Sequence, residues 1–325
     1  MESGPSAPPK NLLRYHRTKK LRLDGTHIPQ VLTEQSKQCL KRLSAYRAPK
    51  QRMAYPRSRL AAVLVALFVG RKGDLYVLLS RRSASLRTYA GDTSLPGGRV
   101  DAGDRSLEDT ARREALEEIG LPHDRAKVPL LCVLEPFLAA ELIVTPVVVL
   151  ILDNTLQPIL NAAEVSSLFS HPLASFLSTS PPFPKEPEMA EVMYHRYWDF
   201  EADGPDADKK AFRAHQFLTG REAGGIKPVI GLTAAMMIRV AMIGYGRPPE
   251  FEINPPNAPS TEERIAWALL HRKVFLEACE KEGIDLGVAR RIAGVDENGK
   301  RLPGRHRKEE LRQDKGRGKR RQAKL

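Results

Sequence analysis

Apolar residues change their spacing several times along the chain, and the changes outline its elements. Leu60–Val69 is an unbroken apolar run. A second, Leu75–Ser80, follows Gly70-Arg71-Lys72-Gly73-Asp74 in a hairpin-like pattern. Strand-like runs recur at 129–135, 142–152 and Tyr194–Phe200. Helices are predicted at 36–48, about 106–119, 163–177, Ile230–Tyr245 and around 261–281. A Gly/Pro-rich stretch at 91–104 precedes the second of these, and the Pro-rich Ser178–Pro187 reads as a loop or insertion. Short strands mixed with helices predict an α+β or α/β sandwich, a mixed sheet between helices rather than a doubly wound sheet. The expected organisation has three parts. A polar N-terminal arm with a short helix covers 1–45, a folded domain covers 46–247 with an insertion near 178–190, and a C-terminal extension over 248–325 ends in a basic, disordered tail.

Composition narrows the class. A chain of 325 residues with 42% hydrophobic content can form one sizeable core, or a core with appendages. Cys39, Cys132 and Cys279 are odd in number and widely spaced, which argues against a disulfide framework or zinc site and for a reducing compartment. The longest apolar runs fall short of the ~20 residues of a membrane helix. Met1–Lys10 lacks an apolar core, so no secretory signal is expected. The basic cluster Arg14, Arg17, Lys19, Lys20 and Arg22 leaves a mitochondrial presequence open, against Pro5, Pro8 and Pro9. Of the +13 net charge, +9 falls in residues 300–325, so the basicity belongs to the tail and nucleic acid is not an expected partner of the folded body.

The residues that carry chemistry lie between Gly97 and Leu121. Gly97-Gly98-Arg99-Val100-Asp101-Ala102-Gly103-Asp104 leads into a helix that Ser106 and Asp109 cap and Gly120-Leu121-Pro122 ends. Glu114, Glu117 and Glu118 stand at i, i+3 and i+4 on one face, beside the apolar stripe of Ala111, Ala115 and Ile119. Like charges at this spacing repel by a few tenths of a kcal/mol per pair, roughly. A hard divalent cation, Mg²⁺ or Mn²⁺, would turn that repulsion into a binding site. The alternative is a solvated acidic face; the glycine turn just ahead of the helix favours the site, because its backbone can approach metal and phosphate closely.

This block, Gly97-Gly98 followed by Arg113-Glu114-x-x-Glu117-Glu118-x-Gly120-Leu121, resembles the Nudix box. Two departures stand out: Asp104 replaces the usual Glu, and Arg113 comes one residue late. Coenzyme A diphosphatases within that family carry the same extra residue. The upstream run Leu78-Leu79-Ser80-Arg81-Arg82-Ser83-x3-Arg87-x3-Gly91-x3-Leu95-Pro96-Gly97-Gly98 is similar to their coenzyme A signature, with Ser80 for Thr and Leu95 for Phe. Val144-Thr145-Pro146-Val147, Asn161 with Glu164-Val165, Pro172-Leu173 and Ile230–Ala234 extend the similarity to about residues 58–245.

The resemblance implies a Nudix fold and metal-assisted attack of water on the phosphoanhydride of coenzyme A, its thioesters or its oxidised form. The products would be 3′,5′-adenosine bisphosphate and 4′-phosphopantetheine or its acylated form. Glu114, Glu117, Glu118 and the Gly98 carbonyl would hold Mg²⁺ or Mn²⁺. Arg113 would orient the glutamates, and Glu114 or the loop residue Glu164 would serve as base. Arg82 and Arg87, with the Gly97-Gly98 backbone, would meet the substrate's phosphates, to which guanidinium forks are suited. Ala323-Lys324-Leu325 resembles a peroxisomal address read by an import receptor, so the peroxisome is the expected location, with cytoplasm or mitochondrion as alternatives. Competing readings are a Nudix hydrolase for ADP-ribose, a nucleotide sugar or an RNA cap, and an RNA-associated module that binds through the basic tail.

Overall fold

The computed structural model describes residue 28 and residues 31–153, 155–183, 191–201 and 210–296. The basic tail, the Ala323-Lys324-Leu325 tripeptide, residues 184–190 of the insertion and residues 1–27, 29 and 30 of the N-terminal arm lie outside the described residues.

A run as apolar as Leu60–Val69 suits a strand covered on both faces, and it forms the middle of an eight-stranded mixed sheet. In chain order the strands are β1 (Leu60–Val69), β2 (Leu75–Arg82), β3 (Thr93–Ser94), β4 (Gly97–Arg99), β5 (Leu130–Val133), β6 (Phe137–Leu138), β7 (Ile143–Leu150) and β8 (Val165–Pro172). β1 and β2 form the expected antiparallel hairpin, with Gly73 at φ 84° in its turn. On its other side β1 runs parallel to β7, in register from Leu60 opposite Ile143 to Leu67 opposite Leu150. All eight residues of β7 are buried. β4 pairs antiparallel with the start of β1, which brings Gly97 and Gly98 to the centre of the sheet.

Helices cover both faces, as the sandwich reading expected. One face carries α1 (Glu34–Ala45) and α3 (Gly231–Tyr245), with Leu40, Leu43, Met237 and Val240 packed on Val65 and Leu67. The other carries α2 (Leu107–Ile119), α4 (Thr261–His271), α5 (Lys273–Glu282) and α6 (Gly287–Ala293). There Ala111, Ala115 and Ile119 share a core with Leu64, Ala66, Ile265, Leu269 and Phe275. A second sheet of β9 (His195–Glu201), β10 (Lys210–Phe217) and β11 (Val229–Ile230) packs beside α3. Among the described residues no helix is long and apolar enough to cross a membrane. Cys39, Cys132 and Cys279 are all buried, and none of them forms a disulfide.

Two expectations need correction, and one strand was not expected. The helix predicted over 163–177 is instead β8 followed by a 3-10 turn, Leu173–Leu177. Ser166, Ser167 and Ser170 disfavour a helix interior, and the segment supplies the antiparallel partner that β2 needs, from Tyr76 opposite Pro172 to Arg82 opposite Val165. The single helix around 261–281 is broken at Arg272, which is extended at φ −85°, ψ 118°; its guanidinium reaches the Ala140 carbonyl at 3.0 Å. β10, whose short run between charged residues gave no strand signal, pairs with β9 along its length.

Candidate active site

The helix that carries the glutamates begins and ends where its sequence dictates. The Ser106 hydroxyl accepts the Asp109 N–H at 3.1 Å, and Gly120 closes α2 at φ 69°. Its last carbonyls are not left to water. Ile119 O accepts the Ile159 N–H and Glu118 O accepts the Asn161 N–H, each at 3.0 Å. These two bonds dock the 159–164 loop onto the helix end and bring Glu164 to the carboxylates; Ser83 N–H then donates to Glu164 O at 2.8 Å, tying the loop to the end of β2.

Arg113 is the hub of the site. Its Nε donates to Asp104 Oδ1 at 3.1 Å and its Nη2 to Asp104 Oδ2 at 3.0 Å and Arg99 O at 2.9 Å. Its Nη1 donates to Glu114 at 2.8 Å and Glu117 at 3.2 Å. All five guanidinium N–H groups are thereby engaged. Asp104 is 8% exposed. Burial alone would raise its pKa, but hydrogen bonds from Arg113, the Asp101 N–H and Thr110 outweigh that and hold it below the usual carboxylate range.

The three glutamates share a face but not an environment. Glu117 is more than half exposed, while Glu118 is buried. Burial, followed by the nearby Glu114 and Glu164 carboxylates, pushes Glu118 up to about 8; Arg82 and the Gly97 N–H counter only part of this. Burial likewise raises Glu114. Gly98 lies flush against Glu114: a Cβ there would stand 2.5 Å from the carboxylate carbon. A Cβ on Gly97 would stand 2.4 Å from Ala62 O, so the turn can pair with β1 only as glycine.

Carboxylate oxygens and a glycine carbonyl are the donor set that a hard divalent cation takes. Among the described residues no three His, Cys, Asp or Glu side chains converge as a ligand cluster; Glu114 and Glu117 both accept from Arg113 instead.

Of the other predicted residues, Arg82 ends β2 with its buried Nε lacking a hydrogen-bond partner, and its charge acts on Glu118. Arg87 is exposed in the following loop. A residue that no local pattern marked is Arg57, whose Nη2 donates to the carbonyls of Asp101 at 2.7 Å and Asp104 at 3.0 Å. The two partners lie more than 40 positions downstream.

The NUDIX domain matches residues 58–215. "Nudix hydrolase 15, mitochondrial" of Arabidopsis thaliana is 39% identical over 59% of this chain and 60% of its own length. A peroxisomal coenzyme A diphosphatase of Saccharomyces cerevisiae is 47% identical over 27% of each chain. The peroxisomal coenzyme A diphosphatase of Mus musculus is 32% identical over 66% of this chain and 84% of its own. The match thus spans less than two thirds of the plant and yeast relatives and most of the mouse one. With an arginine-organised row of helix glutamates behind a glycine turn, and relatives of this extent, the chain belongs to the Nudix hydrolase family.

Proposed function

We propose that this hydrolase acts on coenzyme A, its thioesters or its oxidised form, and releases 3′,5′-adenosine bisphosphate and 4′-phosphopantetheine or its acylated form. The observation that carries the reading is the place of Arg82. It belongs to the coenzyme A-type signature upstream of the Nudix box, and it stands at the glutamates with an unpartnered, buried Nε. The yeast and mouse relatives named coenzyme A diphosphatases add support. Arg82 and the exposed Arg87 would receive the substrate's phosphates.

Nudix hydrolases generally use divalent metals. In this site Glu114, Glu117, Glu118 and the Gly98 carbonyl would hold Mg²⁺ or Mn²⁺, which neutralises phosphate charge and lowers the pKa of water. The protein's own groups then have distinct tasks. Arg113 and Asp104 fix the helix face that presents the glutamates. Glu114, or Glu164 held by the Asn161 loop, would accept a proton from the attacking water.

The test is release of 3′,5′-adenosine bisphosphate from coenzyme A with Mg²⁺ or Mn²⁺, comparing wild type with Glu117→Gln. Turnover that needs the metal, stops with chelator and collapses in the variant is expected. Turnover on ADP-ribose or capped RNA alone would discard coenzyme A as substrate. Peroxisomal import through Ala323-Lys324-Leu325 is part of the same reading. The names of the yeast and mouse relatives favour it and that of the plant relative favours mitochondria. A fluorescent fusion lacking the tripeptide should leave peroxisomes; unchanged localisation would remove the address.

A further inference from the structure

Glu282, the last residue of α5, accepts the backbone N–H of Arg57 at 2.5 Å and of Ser58 at 3.0 Å. Two successive peptide donors on one carboxylate fix the chain direction just ahead of β1, and with it the origin of the Arg57 side chain. That side chain crosses to the turn before α2 and bridges the carbonyls of Asp101 and Asp104. The turn is otherwise closed by Asp104 N–H on Asp101 O at 3.2 Å and by Asp101 N–H on the Asp104 carboxylate at 2.8 Å. The same carboxylate holds Arg113 through two nitrogens, and Arg113 holds Glu114 and Glu117.

We propose that Arg57 and Glu282 are positioning residues of the active site. In this arrangement α5 sets the Arg57 backbone, Arg57 sets the Asp101–Asp104 turn, and the turn sets Arg113 and the glutamates. Neither residue touches the reacting groups. Glu282 lies in the C-terminal extension, outside both the NUDIX match and the signature motifs, so the extension takes part in catalysis without contributing a ligand. The inference rests on the Nudix hydrolase reading of the glutamates; it does not depend on which diphosphate is cleaved.

The experiment compares wild type with Arg57→Ala, Arg57→Lys and Glu282→Gln in the full chain. The readouts are kcat and KM for coenzyme A with Mg²⁺, Tm, and amide hydrogen exchange. Partners that orient metal-site ligands typically matter by about 10- to 100-fold, and a loss of that size in kcat is expected for Arg57→Ala. KM should move less than about threefold, because the turn does not bind substrate. Arg57→Lys should recover part of the loss, since one ammonium can still reach a carbonyl. Tm should fall by less than about 4 °C, because Arg57 is only half-buried. Exchange should quicken at residues 99–104 and stay unchanged in α3. Combining Arg57→Ala with Arg113→Lys should cost no more than Arg113→Lys alone, as expected of groups acting in series. A kcat within about twofold of wild type, fully multiplicative losses, or exchange quickened everywhere would overturn the proposal. Should wild type leave coenzyme A intact, the substrate reading fails, and the exchange pattern alone decides the relay.

Discussion

Arg113 faces two demands: holding Asp104 with a bidentate fork, and separating Glu114 from Glu117. A lysine carries the charge but cannot present five donors in a plane. Arg113→Lys is therefore expected to lower kcat by about 10- to 100-fold while leaving the fold intact, which kinetics alongside circular dichroism would check. Gly98→Ala should fall in the same range, since its Cβ would displace the Glu114 carboxylate from contact distance. Wild-type rates in that variant would mean that Glu114 works equally well elsewhere. Helical spacing was enough to group Glu114, Glu117 and Glu118 in the sequence. It could not reveal that one is buried and another exposed, because that contrast comes from β4, Arg82 and the 159–164 loop. Arg57 was invisible for the same reason: its partners lie on a different element, and nothing in its neighbours marks it.

Among the elements, those with local signals were the readable ones. Ser106 and Gly120 bound α2 through contacts with their own helix, and the all-apolar β1 and β7 announce their burial. β8 misled because its identity depends on a partner, β2, that lies nearly a hundred positions away. The β9–β10 hairpin holds a different kind of information. His195 Nε2 and His215 Nδ1 are 3.0 Å apart, His215 Nε2 is 2.9 Å from Ile253 O, and Phe251 stacks on His195 at 3.9 Å. Donation from His215 Nε2 to the carbonyl leaves its Nδ1 to accept from His195, an arrangement that two neutral rings satisfy. Burial, then His215 and Arg213, lower His195 to about 4, and burial lowers His215 too. A histidine depressed in the fold binds protons more readily once unfolded. Its contribution to stability is therefore complete above the ordinary value of 6.5 and is lost as pH falls toward 4. The Tm of wild type should decline over that window, and less steeply in His195→Phe; equal slopes would clear the pair of responsibility.

The whole molecule extends beyond the region in which family resemblance is legible. Helices α4, α5 and α6 lie past the NUDIX match, yet Ile265, Leu269, Phe275 and Cys279 are buried in the core that α2 shares. Truncating a buried phenylalanine typically costs about 3–5 kcal/mol, and Phe275→Ala should fall in that range in urea denaturation. A loss below about 0.5 kcal/mol would mean that these helices dock loosely. The Glu282 contact with the backbone at Arg57 and Ser58 also has a consequence for biosynthesis. Its two sides are separated by 225 positions, which a ribosome adding roughly 5–20 residues per second covers in roughly 10–45 s. Until then Ala111, Ala115 and Ile119 of α2 lack the part of their core that Ile265, Leu269 and Phe275 supply. The Glu282 contact that sets the backbone at Arg57 and Ser58 therefore forms only once α5 has left the exit tunnel, and in the proposed relay the turn before α2 gains its last support late in synthesis.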